Sequence, residues 1–85
     1  MRRIVLDCSG IAEKRQLHEA LKEALQLPEW YGHNLDALFD CLTELDEDTL
    51  LILKNWDHDA AFACGFESVF TDAATENKAF TYTII

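Results

Sequence analysis

The stretch Leu27-Pro28-Glu29-Trp30-Tyr31-Gly32-His33-Asn34-Leu35-Asp36-Ala37-Leu38-Phe39-Asp40-Cys41-Leu42-Thr43 holds the only proline of the chain, a Trp-Tyr-Gly turn and a short amphipathic pattern. Pro28 interrupts the helical run before it, because its ring restricts the preceding residue and it has no N–H to donate. Gly32 fits a turn position with positive φ, and Asn34 is a good N-cap, so the spacing predicts a helix running from there to about Thr43. With roughly 100° between successive residues, Leu35, Leu38, Cys41 and Leu42 fall on one side of this helix and Asp36, Phe39, Asp40 and Thr43 on the other. The first side is a core stripe. On the second, Asp36 and Asp40 stand four residues apart, where like charges destabilise a helix by roughly 0.2–0.5 kcal/mol. Phe39 between them is expected to be at least partly exposed.

Upstream, Leu17, Ala20, Leu21, Ala24 and Leu25 recur at helical spacing and predict a helix over 13–25. Arg3 to Leu6 reads as a strand closed by Ser9-Gly10. Downstream, Thr49-Leu50-Leu51-Ile52-Leu53 is a continuous apolar run, expected to be a strand covered on both faces. Residues 57–63 and 65–78 suggest one or two helices, and Phe80-Thr81-Tyr82-Thr83-Ile84-Ile85 a closing strand. Three strands separated by helices imply crossover connections. The fold class expected is therefore α/β, one domain over residues 1–85 with a three-stranded parallel sheet packed by about four helices.

Charge narrows the function. No Lys or Arg lies between Glu23 and Leu53, while Glu23, Glu29, Asp36, Asp40, Glu44, Asp46, Glu47 and Asp48 all do, in a chain of net charge -9. Negative potential held on ordered structure beside aromatic rings suits a strongly positive partner. Direct binding to nucleic acid or to an anionic membrane is disfavoured, since both reward Lys and Arg. No run approaches 18 apolar residues and no export segment opens the chain, so a cytoplasmic location is expected. Cys8, Cys41 and Cys64 are odd in number and widely spaced, which fits reduced, mostly buried thiols.

Exposed, Phe39 would be an aromatic anchor between two ion-pairing acids; packed down, it would be an ordinary loop contact. Trp30 and Tyr31 admit the same pair of readings, with the nearby acidic helix favouring a binding role for Trp30. Catalysis has little support. Asp36 and Asp40 lie side by side on one face with no second wall for a substrate. His33, Asp36 and Asp40 spread over two turns and make a poor metal set. His18 and His58 lie in polar surroundings and read as solvated or capping residues, and no cysteine has a basic neighbour to activate it. Neither a catalytic residue, a metal site nor a cofactor site is expected.

The run from Leu17 to Leu25 together with Leu27 to Thr43 closely resembles the barstar family of intracellular inhibitors of barnase-type ribonucleases. Weaker similarity covers Leu50 to Trp56, Gly65 to Val69 and Thr83 to Ile85. The resemblance implies an inhibitor whose second helix and preceding loop plug a ribonuclease active site, binding one to one as a monomer. The acid matched by Asp40 would enter the pocket for the RNA phosphate, Asp36 would pair with a second basic residue, and Trp30 would stack near the catalytic histidine. Phe39, Asn34, Leu35, Gly32, Thr43 and, on a later helix, Asp72 complete the implied partner-binding set. The barnase–barstar pair is itself a reference case for electrostatic steering. Phe39 stands where barstar has Trp, Trp30 where it has Tyr, His33 where it has an acid, and Glu44-Leu45-Asp46-Glu47-Asp48 where it has a Gly-Trp pair. A second reading is an acidic interaction module for a basic partner that is not a nuclease.

Overall fold

In the computed structural model, which describes residues 1–85, the chain runs β1 (Arg2–Asp7), α1 (Lys14–Leu25), α2 (Leu35–Thr43), β2 (Thr49–Lys54), α3 (Ala63–Glu76) and β3 (Phe80–Ile84). The strands form one parallel sheet in the order β1-β2-β3, with Val5 opposite Ile52 and Ile52 opposite Thr83. The α/β class and the three-stranded parallel sheet are as expected. There are three helices against the about four expected, because residues 57–78, read as one or two helices, hold a single one, α3. Residues 57–62 form turns, held by bonds from Ala60 N–H to Asp57 O and from Ala63 N–H to Ala60 O.

The apolar run of β2 is covered on one face only. Thr49, Leu51 and Leu53 are buried while Leu50 and Ile52 are half-buried, and their neighbour Val5 is 58% exposed. This corrects the expectation of a strand buried on both sides, and topology gives the reason. When two successive right-handed crossovers step in the same direction across a sheet, they lay their helices on the same face. That face is the core, where Leu51 and Leu53 meet Leu17, Leu21, Leu38, Leu42, Phe66 and Phe70. Each such fully buried side chain contributes roughly 1.5–3 kcal/mol.

Helix α1 starts on a cap in which the Gln16 side chain accepts from the N–H groups of Ala12 and Glu13 at 2.8 and 2.9 Å. It ends at Gln26, which adopts the left-handed conformation at φ 55. Helix α2 packs on α3, and Gly65 permits the approach, since a Cβ there would lie 3.0 Å from Leu35 Cδ1. At the other end Asn77, just past α3, donates its side-chain amide to the carbonyls of Leu42 and Leu45 at 3.0 and 2.8 Å. Because α2 and α3 run side by side in the same direction, α2 is clamped at both ends.

Candidate partner-binding site

The acidic helix is presented by a rigid entry loop. Tyr31 N–H bonds to Pro28 O at 3.0 Å, closing a tight turn that sends the Tyr31 ring inward, where it is 3% exposed. Its hydroxyl meets Nδ1 of His18. With Tyr31 turned in, Trp30 is turned out and is 68% exposed. The two aromatic neighbours therefore divide the two roles left open for them, one packing and one surface.

The left-handed residue in this loop is His33, at φ 54, and not Gly32. An L-residue normally avoids that region; here the ring helps to hold it, with Nδ1 3.1 Å from Tyr31 O. Gly32 serves the loop through its carbonyl, which accepts from the Asn34 amide at 3.3 Å. Asn34 caps α2 as expected, its Oδ1 accepting from Ala37 N–H at 2.8 Å.

Along α2 the two faces separate as the spacing requires. Leu38, Cys41 and Leu42 are buried and Leu35 is half-buried against α3. Asp36 and Asp40 are exposed, and neither takes part in any of the four ion pairs of the chain. Both carboxylates are thus held on a capped helix with no internal cation to compete for them. Phe39 is half-buried and lies against the core, so part of its ring is committed to packing. Thr43 bonds back to the carbonyls of Phe39 and Asp40 at 2.9 and 3.1 Å. The local potential is felt inside as well: burial pushes the Cys41 thiol up, and Glu44 and Asp40 push it further.

Asp72 is exposed on α3, the helix that packs on α2, and no hydrogen bond or ion pair joins it to the α2 acids. Trp30, Gly32, Asn34, Leu35, Asp36, Phe39, Asp40 and Thr43 form one continuous stretch of loop and helix; Asp72 stands apart on a separate element. Two supporting residues escaped the sequence reading. His18, expected to be solvated or capping, is 3% exposed, packed between Tyr31 and Phe66. Its position next to Leu17, in phase with Leu21 and Leu25, is the signal that could have revealed it. Asn77 had no local signal, because its partners lie 32 and 35 residues away. His58 is exposed as expected and sits 3.2 Å from Glu67, which also accepts the Trp56 indole N–H. Cys8 and Cys41 are buried and Cys64 is exposed, all three free.

The sequence model of the family described as "Barstar (barnase inhibitor)" matches residues 1–84. The chain is also 43% identical over 63 residues to the protein of Bacillus subtilis (strain 168) named "Putative ribonuclease inhibitor YrdF", an alignment covering 73% of this chain and 69% of that one.

Proposed function

The chain belongs to the barstar family, and from that premise we propose that it inhibits a barnase-type ribonuclease by occupying the enzyme's active site with α2 and the loop before it. The observation that carries the reading is the pair of exposed, internally unpaired carboxylates Asp36 and Asp40 on a capped helix, with Trp30 exposed beside them. A ribonuclease must gather cationic donors to hold the phosphate of RNA. A carboxylate brought to that position engages the same donors through charge-assisted hydrogen bonds. In this role Asp40 takes the place of the phosphate and Asp36 pairs with a cation one helical turn away. Trp30 covers the active-site rim.

The buried part of Phe39 fixes the helix surface while its exposed edge meets the partner. Gly32, Asn34, Leu35 and Thr43 form the surrounding contacts, and Asp72 extends the negative field from α3. Inhibition is then steric and electrostatic, with no bond made or broken. The inhibitor acts as a monomer, one to one, inside the cell that makes the enzyme. All its residues act as a single domain in doing so.

The test is cleavage of RNA by a barnase-type ribonuclease with increasing amounts of this protein. Stoichiometric loss of cleavage with the wild type, and its recovery with Asp40→Ala, is the expected result. If the wild type binds the enzyme yet leaves cleavage intact, the surface serves as an interaction module and the active-site plug is wrong.

A further inference from the structure

The chain has seven Lys and Arg against sixteen Asp and Glu, yet one cleft of about 780 Å³ is lined by Lys14, Arg15, His18 and His33 with Glu13 as its single acid. It opens where all three helices begin: α1 at Lys14, α2 at Leu35 and α3 at Ala63. Helices α1 and α3 follow β1 and β2, so the cleft lies beyond the carboxyl ends of these two strands. The first N–H groups of a helix lack intrahelical acceptors and carry a partial positive charge. Lys14 takes part in no ion pair, whereas Arg15 is engaged by Glu19 at 3.3 Å.

His18 supplies an independent observation. It is 3% exposed, and its one hydrogen bond is from Nδ1 to the Tyr31 hydroxyl. With the hydroxyl donating to Nδ1, a neutral ring carries its proton on Nε2. Nε2 has no partner in the chain, yet it is not among the side-chain atoms sealed from solvent without a bond. His18 lines the cleft, and with the proton on Nε2 that nitrogen is a donor that makes no bond inside the chain. The His33 and Phe66 rings flank it, at centroid distances of 6.2 and 4.8 Å, and Phe62 and Leu35 add apolar wall.

We propose that this cleft binds a small phosphomonoester, its phosphate held by Lys14, the His18 Nε2–H and the helix N-termini, and its organic part lying against Phe62. The cleft shares Asn34 and Leu35 with the proposed ribonuclease-binding surface, but Lys14, His18 and Phe62 and the ligand they would hold are no part of that reading. Its test is a titration of the whole chain, followed by backbone and histidine-ring NMR, with inorganic phosphate and with phenyl phosphate.

Saturating shifts confined to the starts of the three helices and to the His18 ring are expected, with phenyl phosphate the tighter of the two. Lys14→Glu should weaken binding about fivefold or more, while Lys54→Glu, outside the cleft, should leave it unchanged. An acid at the first position of α1 favours the helix, so the Lys14 variant remains folded, as its spectrum will report. No localised shift up to about ten times a millimolar Kd, shifts spread evenly over Arg2, Arg3, Lys54 and Lys78, or equal binding by Lys14→Glu would each overturn the site. Phenyl phosphate binding no more tightly than phosphate would overturn the phosphomonoester assignment.

Discussion

The two faces of α2 are built from the same nine residues and do opposite work. The inner face, with Leu38 and Leu42 at 0% exposure, is satisfied entirely within the chain. The outer face, with Asp36 and Asp40 exposed and outside every ion pair, leaves its strongest interactions unmade. A residue on the inner face should therefore register in folding, and one on the outer face in binding.

The largest expected effect tests the inner face. Leu38→Ala should lower stability by roughly 2–5 kcal/mol, since Leu38 is fully buried in the core and its removal leaves a cavity. Denaturant unfolding measures it. An unchanged midpoint would mean that α2 does not depend on its core stripe. The outer face comes next: Asp40→Ala should cost more than about 2 kcal/mol of partner affinity while leaving folding nearly unaltered. Calorimetric titration against a ribonuclease that the wild type inhibits gives the first number and an unfolding curve the second. Equal affinity would remove Asp40 from the centre of the interface.

Asn34 stands at the junction of the faces and belongs to both. Its side chain accepts from Ala37 N–H and donates to Gly32 O, so Asn34→Ala should cost about 1 kcal/mol of stability through the lost cap. Asn34→Asp keeps the acceptor and should retain most of that stability. An affinity loss in Asn34→Ala that Asn34→Asp does not restore would show that the amide also touches the partner directly.

Much of this division was legible in the sequence because it depends on local rules. The 3.6-residue period sorted Leu38 from Asp40, Asn34 announced the cap, and Pro28 placed the boundary before it. The failures share a cause. Whether the outer side of β2 is covered depends on where both crossovers lie, which no window around Leu50 or Ile52 contains. His18 looked polar because Glu19 and Lys22 surround it in sequence, whereas Tyr31 and Phe66 surround it in space. His33 took the left-handed position that Gly32 was expected to fill because the Tyr31 carbonyl lies within reach of its ring, a tertiary compensation that residue preference does not record. The unpaired state of Asp36 and Asp40 also needed coordinates, since the sequence places no limit on how far Lys22 or Lys54 can reach.

The smallest expected effect separates the two acids that the outer face otherwise treats alike. Asp36 lies in the first turn of α2, where the positive end of the helix stabilises an acid by about 0.3–1 kcal/mol. Asp40 lies a turn further on and gains little from it. Each also repels the other at i, i+4 by roughly 0.2–0.5 kcal/mol. Asp40→Asn removes the repulsion alone and should stabilise the free protein by a few tenths of a kcal/mol. Asp36→Asn removes the repulsion and the helix-end attraction together, so it should be neutral or slightly destabilising. The difference between the two variants then isolates the helix-end contribution. Unfolding curves at low ionic strength should resolve it, and raising the salt should shrink it as both interactions are screened. Two variants of equal stability at low salt would mean that the N-terminal field does not reach Asp36, and that its place in the first turn serves the partner alone.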